Sequence, residues 1–177
     1  MPWRASRKCM KTTKGFIAIL GTLLAAVFVA NAQINLSSLD GKNVNIEGQN
    51  GKVVVLAIGA SWLPLSGKQA EFTNSLAKKY AGRNVVFYFV ATDSANSKSK
   101  NFATDDAIKK FAFVNKLTAT VLRDSDGAAT LKRFNVEQVP SFVILDKNGK
   151  QMGDVFGGID PKYDITIPIS KAIDKIL

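Results

Sequence analysis

The sequence predicts an α/β domain: a central mixed β-sheet flanked by helices and led by an N-terminal β-hairpin. Three observations predict it. Val53 to Ile58 and Val85 to Val90 are continuous apolar runs of strand length, the mark of strands buried on both faces. Between them, Phe72, Leu76, Ala77 and Tyr80 recur at helical spacing, which makes a β–α–β unit. Further on, Asp146-Lys147-Asn148-Gly149 separates Phe142–Leu145 from Met152–Phe156 and reads as a hairpin turn closing the sheet.

The other elements fall into place around these. Leu39-Asp40-Gly41-Lys42, followed by Val44 and Ile46 in alternation, reads as the leading hairpin. Asn50-Gly51 is a turn before the first buried strand. Gly59 to Ser66 is a loop running into the first helix, with Pro64 placed in that helix's first turn, and Gly82 ends the helix. Thr92 to Asn101, rich in Ser, Asn and Lys, reads as a mobile polar loop. Thr104-Asp105-Asp106 opens a second helix bearing Ile108, Phe111 and Ala112, and its aspartates suit the positive end of the helix dipole. Ala119–Leu122 is a short strand, Asp124-Ser125-Asp126-Gly127 a plain turn, and Ala129–Phe134 a short helix. Gly157-Gly158 is expected to break the last strand, and Pro168–Ile176 to form the final helix.

Composition narrows the function classes. The net charge is +10, but Arg4, Arg7, Lys8, Lys11 and Lys14 lie in a stretch without acids, leaving 19 of the 24 basic residues against all 14 acidic ones. The remaining lysines are scattered, with none of the basic stripes interleaved with aromatics that mark nucleic-acid binding. Histidine is absent and Cys9 is the only cysteine. Zinc sites, Cys–His dyads and Ser–His–Asp triads are therefore excluded by residue type. No metal or cofactor is expected. Residues 1–32 read as a cleavable export signal. A basic segment precedes the apolar run Phe16–Ala30, and Ala30-Asn31-Ala32 supplies small residues for cleavage before Gln33. At 15 residues the run is shorter than the ~20 needed to span a bilayer. Only an uncleaved segment would tether the protein to a membrane. The expected division is thus 1–32 as signal and 33–177 as one domain, periplasmic or extracellular.

Four landmarks carry a family resemblance over about residues 35–160. Val53 to Trp62, ending Ala60-Ser61-Trp62, resembles the strand and loop that precede the Cys-x-x-Cys of exported TlpA-type thioredoxins. Val139-Pro140-Ser141-Phe142 and the hairpin after it resemble that family's cis-proline segment. Leu39 to Lys42 and Arg123 to Gly127 are similar to two further landmarks. The resemblance implies a thioredoxin-like fold and a history of disulfide reduction. It also shows three departures. Leu63 stands at the attacking cysteine, Ser66 at the resolving cysteine, and Gln69 where many relatives carry a glutamate that assists proton transfer.

Disulfide exchange needs a thiolate nucleophile. Leucine offers no lone pair, and no histidine is present to activate the Ser66 hydroxyl. Peroxide chemistry fares no better, because the Pro-x-x-x-Thr-x-x-Cys context is missing. The expectation is therefore a non-catalytic binding or scaffold protein that retains Trp62, Pro64, Val139 and Pro140 as a binding face. Its partner would be an extended peptide or an envelope protein. The alternatives are a thiol–disulfide oxidoreductase or antioxidant working by a non-standard route, and a purely structural module.

Overall fold

In the computed structural model, the residues described are Met1, Trp3 and residues 33–177. The expected export signal, its cleavage point after Ala32, and Cys9 lie outside them, apart from Met1 and Trp3. Among the described residues no helix is long and apolar enough to cross a membrane.

The elements run in the expected order. The strands are β1 (Asn35–Ser38), β2 (Asn43–Asn45), β3 (Val53–Gly59), β4 (Val85–Ala91), β5 (Thr120–Arg123), β6 (Ser141–Leu145) and β7 (Phe156–Gly157). The helices are α1 (Ser66–Lys79), α2 (Asp105–Val114), α3 (Thr130–Arg133) and α4 (Thr166–Ile176). All seven strands join one sheet in the order β2-β1-β5-β4-β3-β6-β7. The pairs β3–β4 and β4–β5 are parallel, while β1–β2, β1–β5, β3–β6 and β6–β7 are antiparallel. The sheet is therefore mixed, as the sequence predicts.

Every residue of β3 is buried, which explains its unbroken apolar run. Its alternating side chains point to opposite faces. Val53, Val55 and Ala57 meet Phe72 and Leu76 of α1 and Tyr80 at its C-cap, Ile108 of α2, and Ile169 and Ile173 of α4. Val54, Leu56 and Ile58 meet Ile34, Ile46, Phe134 and Val136. Both faces are covered, but unequally. Three helices cover one face, and on the other a single four-residue helix shares the work with the N-terminal hairpin. The carboxylate of Glu47 ties these last two together. It accepts from the Ile34 backbone N–H at 3.0 Å and from Arg133 Nε at 2.9 Å. Gly149 closes the β6 turn beside it. Its φ is +78°, and a Cβ there would stand 2.1 Å from the Glu47 carbonyl oxygen, so no other residue fits.

The structure corrects four local expectations. Helix α1 begins at Ser66 with Leu65 as its N-cap, so Pro64 lies one residue before the cap and not in the first turn. The stretch after the Gly149 turn is not a continuous strand from Met152 to Phe156. It bridges Leu145 at Gln151 and pairs again only at Phe156 and Gly157. Gly153, with φ +68°, bends the chain between those points, and Gly157 lies inside the strand it was expected to break. Helix α4 starts two residues before Pro168, where Asp164 accepts from the Thr166 N–H and hydroxyl, so the proline sits in its first turn. The fourth correction, at Thr92–Asn101, concerns the site.

Candidate functional site

The parallel strands β3 and β4 end side by side, and the loops leaving them build the site. Ligand sites in open α/β sheets gather at such carboxyl ends. The β3 loop, Ala60 to Leu65, is folded onto itself. Leu63 N–H donates to the Ala60 carbonyl at 3.1 Å and Ser66 N–H to the Leu63 carbonyl at 3.1 Å. This coil carries Trp62 outward, where its side chain is 51% exposed.

Ser66 is fully buried, and its hydroxyl donates to the Ala60 carbonyl at 2.7 Å. The hydroxyl thus closes the loop and has no open approach for a reacting group. Leu63 is half-buried. Gln69, fully buried in the first turn of α1, uses both amide protons. Nε2 donates to the Ile58 carbonyl at 3.1 Å and to the Ser141 carbonyl at 2.8 Å. Ile58 and Ser141 are the last paired residues of the β3–β6 ladder. The amide therefore clamps the end of that ladder, a task that needs two donors on one atom. Oε1 has no hydrogen-bond partner and lies against Gly59, where a Cβ would stand 2.3 Å from it. Glycine at 59 is what admits the glutamine.

The β4 loop supplies the residues that sequence reasoning missed. Thr92, Asp93 and Ser94 are buried, contrary to the expectation of a mobile polar loop from Thr92 to Asn101. Thr92 N–H and hydroxyl both donate to the Gly59 carbonyl, at 2.8 and 3.1 Å. Asp93 is fully buried and accepts from Ser61. The backbone N–H lies 3.0 Å from both carboxylate oxygens, and the Ser61 hydroxyl 2.6 Å from one. Ser94 pairs back with Asn101 and Ala103. Arg123 closes the loop from below, with Nη2 donating to the Ser94 and Ala103 carbonyls. Its Nη1 lies 3.2 Å from Asp105 Oδ1, an ion pair by distance that is not aligned as a hydrogen bond. Polar composition marked this segment as a surface loop, but its polar groups are spent on one another. The available signal was the position of Thr92-Asp93 at the carboxyl end of a parallel strand.

The expected binding residues are brought together only in part. Trp62 and Val139 line one pocket of about 160 Å³ with Ala60, Thr92, Asn101, Asp126 and Leu131. Pro64 is exposed but does not line it, and Pro140 is buried. The Val139–Pro140 peptide bond is cis. Asp124, in the turn below, caps α3 by accepting from the Ala129 and Thr130 N–H groups and the Thr130 hydroxyl. It takes no part in the pocket. Among the described residues no group of three or more potential ligands is placed to hold a metal ion.

Residues 26–152, well over half of the chain, match the Redoxin family. The chain belongs to the Redoxin family. Thiol-disulfide oxidoreductase ResA of Bacillus thuringiensis subsp. konkukian is 24% identical over 122 residues, 69% of this redoxin and 65% of ResA. ResA of Bacillus anthracis is 23% identical with the same coverage. The match thus spans slightly under two thirds of these relatives' own length. Among solved structures, a secreted disulfide oxidoreductase of Mycobacterium tuberculosis superposes with a TM-score of 0.61 at 23% identity, covering 81% of this redoxin and 96% of that chain. The exposed lipoprotein thioredoxin Etrx1 of Streptococcus pneumoniae gives 0.62 at 22% identity, covering 81% and 99%. These likenesses establish the thioredoxin-like fold. In this redoxin, Leu63 and Ser66 occupy the positions where the sequence resemblance places the two cysteines.

Proposed function

We propose that this redoxin is exported, has given up thiol–disulfide exchange, and holds an extended segment of a partner protein along the Trp62–Val139 face. The observation that carries the reading is the state of the two motif positions. Leu63 presents carbon, and the Ser66 hydroxyl is buried and committed to the Ala60 carbonyl. Gln69 supports the same conclusion, because an amide that donates twice to carbonyls has no proton to exchange at neutral pH. The pocket between Trp62 and Val139 supports binding without thiol chemistry, since its lining offers an exposed indole and no cysteine. Export is supported by the order of basic, apolar and small residues in 1–32, and by the similarity to a secreted oxidoreductase of Mycobacterium tuberculosis and an exposed lipoprotein of Streptococcus pneumoniae.

The test of lost chemistry is insulin reduction by the full chain in the presence of dithiothreitol. The expected rate is that of dithiothreitol alone, and turnover above that rate would return the chain to the oxidoreductases. The test of binding is the emission of Trp62 during titration with short extended peptides, in a chain carrying Trp3→Phe so that one tryptophan reports. A saturable blue shift is expected. No response from any peptide would leave only the structural module.

A further inference from the structure

We infer that the Trp62–Val139 pocket selects a basic side chain, lysine or arginine, from the extended segment it holds. The inference rests on the binding reading above and adds the chemistry of the residue recognised. Trp62, Ala60, Leu131 and Val139 give the pocket an apolar wall with an exposed indole face. Asp126 is the one charged residue lining it. A long alkyl stem ending in a cation matches that pair of features. The stem packs on the apolar wall, and the cation meets the indole face and the carboxylate together.

Asp126 is prepared for this contact. Its backbone is held left-handed, φ +59° and ψ 14°, a conformation that aspartate and asparagine adopt more readily than other non-glycine residues. Its Oδ2 accepts from the Ser94 and Ser125 hydroxyls, each at 3.1 Å, which fixes the carboxylate's direction. Oδ1 makes no hydrogen bond among the described residues and is left for a ligand. Asp93, the neighbour of Thr92 in sequence, does not line the pocket and spends its carboxylate on Ser61. Among the described residues neither carboxylate joins an ion pair. In a chain of net charge +10 this places one anion without a cationic partner in the lining of a small pocket. Lys98 and Lys100 sit on the exposed arc of the neighbouring loop and do not line it.

The experiment uses the full chain carrying Trp3→Phe and blocked pentapeptides of the form Ala-Val-Xaa-Val-Ala, with Xaa as Lys, Arg, Met or Glu. Affinity is read from Trp62 emission at low and at high salt. Lys and Arg peptides are expected to bind about fivefold or more tightly than the Met peptide, with the Glu peptide weakest. High salt should narrow the gap. Asp126→Asn should bring the Lys and Arg peptides down to the level of the Met peptide measured on the same variant. Asparagine tolerates the left-handed backbone and can still accept from both hydroxyls. Equal binding of Lys and Met peptides, or a basic preference that survives Asp126→Asn, overturns the inference and leaves the binding reading standing. Failure of all four peptides to bind overturns both.

Discussion

The amide of Gln69 donates to the carbonyl of Ser141 across 2.8 Å, joining the first turn of α1 to the strand that begins beside Pro140. With the companion bond to Ile58, one side chain fixes the loop that carries Trp62 to the strand that follows Val139. The two walls of the pocket are thereby held in register by a group that does not touch the pocket.

Gln69→Glu tests whether that clamp has replaced proton chemistry. An ionised carboxylate has no proton to donate and would face two carbonyl oxygens in a dry site. Leaving those acceptors unpaired costs about 1–3 kcal/mol for the first and less for the second, roughly 2–4 kcal/mol together. Protonation restores one of the bonds. The folded-state pKa of the new carboxyl must therefore rise above its unfolded value of about 4.3. A raised folded pKa means stability that is whole below the unfolded pKa and is lost as pH climbs through the folded one. The variant should be closest to the parent near pH 4 and fall behind toward pH 8, as read by urea melts across that range. A gap that is constant with pH would show that the new carboxyl keeps its unfolded-state pKa and so does not face the two carbonyls in a dry site.

Asp93 fixes the other side of the loop. Asp93→Ala removes the acceptor for the Ser61 N–H and hydroxyl at a fully buried site, at a cost of about 1–3 kcal/mol. The local effect should exceed the global one. Ser61 immediately precedes Trp62, so the indole loses its fixed direction. In a Trp3→Phe background the expected signature is a red-shifted, more readily quenched emission, with the secondary structure seen by circular dichroism retained. Unchanged quenching would mean that the Thr92 bonds to Gly59 hold the loop alone.

Much of this was legible from residues, and what was not has a physical cause. The unbroken apolar runs of β3 and β4 announced strands buried on both faces, and the helical spacing of Phe72, Leu76 and Tyr80 announced α1. Those patterns are fixed by burial, which composition reports well. Leu63, Ser66 and Gln69 were legible as motif positions, but what Ser66 and Gln69 bond to was not. Their partners are backbone carbonyls, which carry no residue-type signal. Asp93 was hidden for a related reason. A carboxylate satisfied by one serine 32 residues away looks, in sequence, like any loop aspartate. The kinked return to β7 was missed because Met152, Val155 and Phe156 keep an apolar rhythm that Gly153 interrupts only through its backbone.

Tyr80 sets the alkaline limit. Its hydroxyl is buried and its single proton is shared between the Ser170 carbonyl at 3.1 Å and Asp174 Oδ1 at 2.9 Å, joining the end of α1 to α4. Burial raises its pKa above the ordinary 10, and the Asp174 carboxylate adds to the rise, while the Ser170 side-chain hydroxyl and the Arg83 charge, which favour the phenolate, oppose it. Burial alone raises that of Tyr88. Both phenols thus contribute stability that is whole below about pH 10 and is lost as pH climbs through their folded values. Tyr80→Phe should cost about 1 kcal/mol at pH 7 for the lost hydrogen bonds. It should also flatten the decline above pH 10, because one of the two phenols is gone. Thermal melts of parent and variant at pH 7 and pH 10.5 read both effects, and a decline of equal slope in the two proteins would assign the alkaline limit to other groups.

The last prediction restores what the motif lacks. Leu63 and Ser66 are joined by a backbone hydrogen bond across a single turn, Ser66 N–H to Leu63 carbonyl at 3.1 Å. Two thiols at these positions sit three residues apart, with the second on the first residue of α1. The unsatisfied N–H groups and the positive end of the helix lower a thiol pKa there. Leu63→Cys with Ser66→Cys, in a chain carrying Cys9→Ser so that no third thiol competes, should therefore form a disulfide under mild oxidation. Losing the Ser66 hydroxyl removes its bond to the Ala60 carbonyl, so the variant should be less stable by about 1 kcal/mol when reduced. Oxidation should recover part of that loss, and a thiol count should fall from two to zero. Gln69 gives the result a second edge. Because its amide protons are both committed, the restored pair should exchange with a disulfide substrate slowly, and adding Gln69→Glu should speed exchange while lowering stability further. Thiols that stay free after oxidation would show that this loop does not hold the register of the Cys-x-x-Cys motif. Exchange that is already fast without Gln69→Glu would show that the clamp does not matter to thiol–disulfide exchange at this site.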